Sequence, residues 1–331
     1  MKKTNKNNSV QPVSELAALV LCGGLGSRLS NRRKMMTPEL YPHLSSRYWE
    51  MIGPKGMAPV EMAFPTGEKL LKPLTDWHLD IHCACPQIKQ IVLGLGYQGD
   101  IIRNHYDTRY SSLYKQRRLG YLLEKNPAGT LGPIIDLYLD HRLMDYPLVY
   151  ANGDTLMDIN LYSTYLKGIK VALNNHLDLD YLVIAASTLI PWENSSDYGA
   201  LEFEPANPVV TAFKEKAPFL RNSYLIENGK RFTPTYAGFS VILNPAKLFR
   251  RYLSDDTIHT SRLLREGAAD YRKNEKKVKY EFIYEKVAAD GQMVAILNRN
   301  YWSDLGTEMK LTEAEACFMS ALKELTLEHF R

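Results

Sequence analysis

Between Leu16 and about Phe203, short apolar runs alternate with amphipathic stretches, and this alternation narrows the choice of architecture more than any other feature. The runs "LAALVLC", "QIVLGL", "GYLLEK", "PLVYAN" and "DYLVIAAS" have the length and composition of strands. Between them lie "LLKPLTDWHLDIH", "GDIIRNHY", "GPIIDLYLDHRLM" and "LYSTYLKGIKVALNN", whose apolar residues recur at helical spacing. Repeated strand–helix–strand units specify an α/β fold with a mostly parallel sheet covered on both faces. From Tyr198 the texture changes. "YGALEFE", "VVTAFKEK" and "TYAGFSVIL" read as strands joined without long helices, which predicts antiparallel additions at the sheet edge. Helical pattern returns after Pro245, and a last helix is predicted from Glu308 to about Glu328.

Composition narrows the function classes. With 331 residues, 45% hydrophobic and 24% charged, the chain is long enough to bury a large core. A net charge of +4 does not require nucleic acid or a membrane surface as partner. Four scattered cysteines suit a reducing compartment rather than a disulfide framework. Residues 1–15 are basic and polar without the apolar stretch a signal peptide needs, so a disordered tail and a cytoplasmic protein are expected. The rest, 16–331, reads as one domain, interrupted by a long aromatic and basic insertion from Ser30 to Pro54. That insertion reads equally as a solvated loop or as a lid or partner surface.

The first strand breaks into Gly23, Gly24, Gly26, Ser27 and Arg28, where missing side chains let amide groups approach an anion and a cation completes the cradle. It lacks the Gly-Lys-Ser/Thr of a Walker loop, and Leu29 replaces the last glycine of a dinucleotide fingerprint. "GLGYQG", Gly94 to Gly99, does match that fingerprint and would suit an NAD-dependent oxidoreductase. It follows the second strand rather than the first, however, and has only Glu124 as a loose acidic partner. "EKNPAGTLGPI" combines a glycine loop with a helix start able to face a phosphate or base edge. Asn152-Gly153-Asp154 ends a buried strand, where open α/β sheets bind ligands. A carboxylate there suits Mg²⁺, and it equally suits a helix cap. His78, His82, Cys83 and Cys85 make zinc conceivable, but their spacing departs from the usual pattern and reads as the end of a core helix.

Gly23-Gly24-Leu25-Gly26-Ser27-Arg28, Lys55-Gly56-Met57-Ala58-Pro59, Gly129-Thr130-Leu131-Gly132, Asn152-Gly153-Asp154, Tyr198-Gly199, Glu215-Lys216 and Trp302-Ser303-Asp304-Leu305-Gly306-Thr307 stand in order. In this the chain resembles the sugar-1-phosphate nucleotidylyltransferases from about Leu16 to Leu311. "KGMAPV" and "GTLGPI" look most like the guanylyltransferases acting on mannose- or heptose-1-phosphate. The resemblance implies a three-layer α/β/α sandwich with a Rossmann-like mixed sheet, Mg²⁺, and a nucleoside triphosphate and sugar 1-phosphate as substrates. It assigns Arg28 to the β- and γ-phosphates, Lys55 to the α-phosphate and Lys216 to the sugar phosphate. Leu21, Gly23, Gly24, Gly26, Ser27, Glu124, Gly129 and Thr130 would bind nucleotide. Gly153, Tyr198, Gly199, Glu215 and Gly238 would join Lys216 around the sugar phosphate, and Asp154 and Asp304 would share the metal.

Such chemistry needs positioned positive charge rather than a general base, because the attacking phosphate oxygen is already ionised. Guanine offers N1–H and N2–H₂ donors that a carboxylate such as Glu124 can accept, while Glu124 reads equally as a solvated loop residue; the resemblance to the guanylyltransferases favours GTP. Pro54-Lys55-Gly56-Met57 also resembles the uridylyltransferases, so UTP or dTTP remains the alternative, as does a non-catalytic regulatory relative. Gly56 stands where the family usually has proline, which loosens the backbone beside Lys55. The oligomeric state is left open.

Overall fold

The computed structural model describes residues 15–24, 54–63, 69–112, 118–204, 206–216 and 224–305. Gly26, Ser27, Arg28, nearly all of the tail and of the insertion, and the helix expected from Glu308 lie outside the described residues.

The strands are β1 (Leu16–Leu21), β2 (Pro59–Ala63), β3 (Lys69–Pro73), β4 (Ile88–Leu95), β5 (Leu119–Leu123), β6 (Leu148–Asn152) and β7 (Thr155–Met157). Beyond them come β8 (Val183–Pro191), β9 (Gly199–Glu204), β10 (Asn207–Glu215), β11 (Leu225–Glu227), β12 (Lys230–Ile242), β13 (Met293–Leu297) and β14 (Trp302–Asp304). The helices are α1 (Leu74–Cys83), α2 (Gly99–Arg109), α3 (Gly132–Leu139), α4 (Leu161–Asn174), α5 (Pro245–Tyr252), α6 (Asp255–Arg265), α7 (Tyr271–Asn274) and α8 (Glu281–Ala289).

β1 explains its own placement. Leu16 to Val20 are fully buried, so the strand must be covered on both faces, and it lies between β4 and β6, parallel to each. β5 adds in parallel beyond β4. Leu16, Ala18 and Val20 pack with Trp77, Ile101, Tyr106 and Tyr165 of α1, α2 and α4. Ala17 and Leu19 pack on the other face with Ile134, Phe249 and Tyr284 of α3, α5 and α8. The period-two alternation of the strand thus sends its two faces into two separate hydrophobic clusters.

The antiparallel strands require a correction. β12 is not an edge addition; it runs between β6 and β8, antiparallel to both, in the sheet order β5-β4-β1-β6-β12-β8-β13-β10-β9. Thirteen residues long and buried from Thr233 to Ile242, it is apolar enough for a central position. Thr235 also pairs with Ala200 of β9, so the strands from β12 round to β9 close into a small barrel-like ring rather than a flat continuation. Two helix boundaries move as well. Leu70–Pro73 belong to β3, paired antiparallel with β2, and α1 starts at Leu74 because Pro73 is extended (φ −54°, ψ 144°). α3 stops at Leu139, before His141 and Leu143 take positive φ. Among the described residues no helix is long and apolar enough to cross a membrane.

α1 is buried along nearly its whole length, which places polar groups inside the core. Asp76 is met by α2, accepting from the Tyr106 hydroxyl and pairing with His105 Nε2, both at 2.8 Å, and with Arg109 Nε at 3.2 Å. His78 and His82 stack on Phe239 of β12, with centroids 5.9 and 6.2 Å apart. Burial, and for His78 repulsion by His82, pull these imidazoles from 6.5 to about 3 and about 4. The unfolded chain takes up both protons near pH 6.5 and the folded chain does not until far lower. The contribution of these two histidines to stability is therefore complete above pH 6.5 and is lost as pH drops toward 4. A His78→Leu/His82→Leu double variant should show a flatter Tm between pH 7 and pH 4.5 by differential scanning calorimetry (roughly the range of one ordinary histidine titration). Parallel wild-type and variant curves would remove the histidines as the cause.

Candidate active site

A cavity of about 530 Å³ opens at the C-terminal ends of β1, β4 and β6, where the parallel strands release their loops. Its walls include Leu21, Gly23 and Gly24 after β1, Glu124, Gly129 and Thr130 before α3, and Gly153 and Asp154 after β6. These separate stretches of sequence meet because β1 and β6 are neighbours in parallel register. The Gly153 N–H donates to the Leu21 carbonyl at 2.9 Å. The two glycine clusters also meet. A side chain on Gly96 would stand 2.6 Å from the Gly23 carbonyl, so "GLGYQG" serves backbone packing against the β1 turn.

Lys55 enters from a 3-10 turn over Lys55–Met57 and is 7% exposed. Its Nζ donates to Asp154 Oδ2 at 2.6 Å. The turn is held rather than loosened at Gly56. Thr75 Oγ1 donates to the Gly56 carbonyl at 2.9 Å, and a side chain on Gly56 would collide with that hydroxyl. Trp77 Nε1 extends the anchorage, donating to the Val60 carbonyl at 3.1 Å. Burial pushes the Asp154 carboxyl up, but the Lys55 ammonium and its hydrogen bond outweigh it and hold the group below the usual carboxylate range. Asp154 therefore presents an ionised carboxylate to the cavity, with its side chain 37% exposed. Beneath it, burial pushes the Cys22 thiol up to about 12, which makes it inert.

Asp304, from the far end of the chain, is brought beside the backbone of Asp154 but lines a different cavity. β14 pairs antiparallel with β7, setting Asp304 opposite Thr155, and the Leu305 N–H donates to the Asp154 carbonyl at 2.7 Å. Asp304 and Tyr198 border this second, polar cavity of about 430 Å³, and the Tyr198 ring meets Trp302 edge-on at 5.4 Å. Gly199 lies against Glu215, whose charge acts on Glu281 in the main cavity wall. Lys216 is exposed at the end of β10, its N–H donating to the Tyr198 carbonyl at 3.2 Å. Among the described residues no three His, Cys, Asp or Glu side chains cluster to hold a metal.

Gly238 supports this arrangement from below. It has φ 81°, and a Cβ there would sit 2.8 Å from Thr155 Oγ1, next to Asp154. Gly238→Ala is expected to cost about 1–3 kcal/mol through backbone strain and displacement of Thr155. Urea unfolding measures the loss, and a change under ~0.5 kcal/mol would show that the site relaxes freely.

Several lining residues carry no sequence motif. Tyr271, Tyr280 and Glu281 reach the cavity from α7 and the start of α8, facing Asn152 of the motif that ends β6. The Tyr280 N–H donates to Thr130 Oγ1 at 3.0 Å, and Asn152 Nδ2 donates to the Tyr280 hydroxyl at 3.4 Å. Burial, then repulsion by Glu215, push Glu281 up to about 7. A glutamate opening a helix is too common a pattern to single out from sequence.

The profile of the nucleotidyl transferase family matches residues 82–320, well over half of the chain. The chain belongs to the nucleotidyl transferase family. The matched region contains Glu124, Asp154, Lys216 and Asp304, and begins after the β1 glycine turn and Lys55. A D-glycero-alpha-D-manno-heptose 1-phosphate guanylyltransferase of Campylobacter jejuni is 27% identical over 158 residues. That alignment spans 48% of this chain and 56% of the relative, so the match covers little more than half of the relative's length. Among solved structures, HddC from Yersinia pseudotuberculosis superposes with a TM-score of 0.51 at 17% identity, covering 91% of this chain and 98% of that one. A glucose-1-phosphate thymidylyltransferase from Bacillus anthracis, described as putative and solved with a sucrose, gives 0.58 at 14% identity, covering 95% and 98%. These two likenesses establish the shared fold.

Proposed function

We propose that this family member is a sugar-1-phosphate nucleotidylyltransferase. It joins a nucleoside triphosphate, GTP by preference, to a heptose- or mannose-type sugar 1-phosphate and releases pyrophosphate. The observation that carries this reading is the Lys55–Asp154 pair in the cavity wall, with the Asp304 strand hydrogen-bonded to the Asp154 backbone. The Campylobacter guanylyltransferase supports the base and the sugar.

In this reaction a sugar phosphate oxygen attacks the α-phosphorus in line, a new O–P bond forms, and the bond to pyrophosphate breaks with its electron pair leaving on the pyrophosphate oxygen. Lys55, brought to the cavity by its turn, neutralises charge at the α-phosphate. Arg28 holds the β- and γ-phosphates, while Lys216 and Glu215 place the sugar phosphate and its hydroxyls. The carboxylates of Asp154 and Asp304 are hard oxygen donors of the kind Mg²⁺ takes, and the ionised state of Asp154 fits that role. When bound, Mg²⁺ supplies positive charge to the phosphate oxygens. Glu124 in the cavity wall accepts the guanine donors, and the polar cavity beside Tyr198 and Asp304 takes the sugar end.

Pyrophosphate release should be measured with GTP, ATP, UTP and dTTP against heptose-, mannose- and glucose-1-phosphate, with and without Mg²⁺. Turnover is expected to be highest with GTP and a heptose or mannose 1-phosphate. Nucleotide binding without turnover by any pair would favour a regulatory protein, and tight NAD(H) binding an oxidoreductase. Lys216→Ala should lower kcat/KM for the sugar phosphate by about 10²-fold; an unchanged value would remove Lys216 from the site.

A further inference from the structure

We infer that Arg265, at the C-terminal end of α6, is a positioning residue for base selection: it holds Glu124 and the loop over 124–132 in the shape that receives the nucleotide base. This rests on the nucleotidylyltransferase reading above. Arg265 is absent from the cavity lining and contacts the base loop from behind.

One side chain ties together both ends of the loop. Arg265 Nη2 donates to the Gly132 carbonyl at 2.7 Å and approaches Glu124 Oε1 at 3.4 Å. Its Nη1 pairs with Asp136 on α3, and its own carbonyl accepts from Asn126 Nδ2 at 2.7 Å. The first residue of the loop, its last, and one between therefore all depend on a single guanidinium and its backbone. The opposite flank is held separately, by the Leu131 N–H donating to the Val278 carbonyl at 2.9 Å. Arginine suits the task because its planar fork bonds several acceptors at once and never loses its charge.

Charge adds a second consequence. Glu124 is 8% exposed, and burial pushes its carboxyl up to about 7. Arg265 and the Ala128 N–H oppose that rise, and Asp136 adds to it; Arg265 and Asp136 are the charged groups acting on Glu124. A carboxylate can accept the ring donors of a base, whereas a protonated carboxyl turns a donor toward a donor. Removing Arg265 therefore both releases the loop and leaves Glu124 protonated at neutral pH.

The test is isothermal titration of the full chain with GTP and with UTP between pH 6 and pH 8.5, comparing wild type, Arg265→Met, Arg265→Lys and Glu124→Gln. Arg265→Met should lose roughly tenfold of the preference between the two bases, and its binding should reach half-maximum at higher pH than wild type. Arg265→Lys should restore that midpoint by keeping the charge, yet recover only part of the preference. Glu124→Gln should lose the preference together with the shift in midpoint between wild type and Arg265→Met, leaving only the pH dependence of Glu281, the other cavity carboxyl that burial pushes up to about 7. A preference and midpoint unchanged in Arg265→Met, with only Tm lowered, would overturn the inference. Should that variant not fold, an unchanged preference in Arg265→Lys would do the same. If wild type binds neither nucleotide, the underlying functional reading fails first, before any variant is compared.

Discussion

Asp154→Asn should lower kcat by about 10³-fold while the protein keeps its fold. Asparagine preserves the size of the side chain and one acceptor oxygen, so the loop after β6 has no steric reason to move. What disappears is the negative charge. Lys55 is almost wholly buried and its ammonium loses its ionic partner at 2.6 Å, leaving it free to drift from the place it must hold in the reaction. The carboxylate that would take the metal is lost in the same substitution. Steady-state pyrophosphate release gives kcat, and thermal unfolding checks integrity. Turnover within about tenfold of wild type would take Asp154 out of the chemistry. A collapse of Tm would instead mark the Lys55 pair as structural.

Trp77→Ala should destabilise the protein by about 3–5 kcal/mol. The indole is fully buried on α1 against the β1 face of the core, so truncation loses its burial and leaves a cavity. Lys72 Nζ lies 5.3 Å from the ring, and the same ammonium pairs at 2.8 Å with Asp80. That buried pair would lose part of its cover. Trp77 also donates to the Val60 carbonyl, just beyond the turn that carries Lys55. Trp77→Phe separates the two effects, because it keeps most of the apolar volume and removes the hydrogen bond, at about 1–2 kcal/mol. Urea unfolding of both variants provides the comparison. Equal losses in both would assign the whole effect to the hydrogen bond rather than to packing.

The parallel half of the sheet was legible because its signal is local. "LAALVLC" is apolar at every position, and only a strand covered on both faces satisfies that pattern. Lys55, Asp154 and Glu124 were found through short motifs, and the fold brings all of them to one cavity. Other features left no local trace. β12 reads as a strand from its own residues, but whether a strand lies at an edge or in the centre depends on which neighbours pair with it. Tyr271, Tyr280 and Glu281 reach the cavity, and Arg265 the loop at 124–132, only because the segment after α5 folds back over that loop. Nothing in the spacing of "SRLLREG" distinguishes Arg265 from a solvated cation on a helix.

By itself the amino-acid order determined the strand and helix types, the parallel pairing of the first units and the chemistry of the residues at the strand ends, because these follow from periodicity and side-chain type. The tertiary structure decided which remote groups touch. Lys55 meets Asp154 across 99 positions of chain, and Arg265 meets Glu124 across 141, through contacts created by packing between layers rather than by any short-range preference.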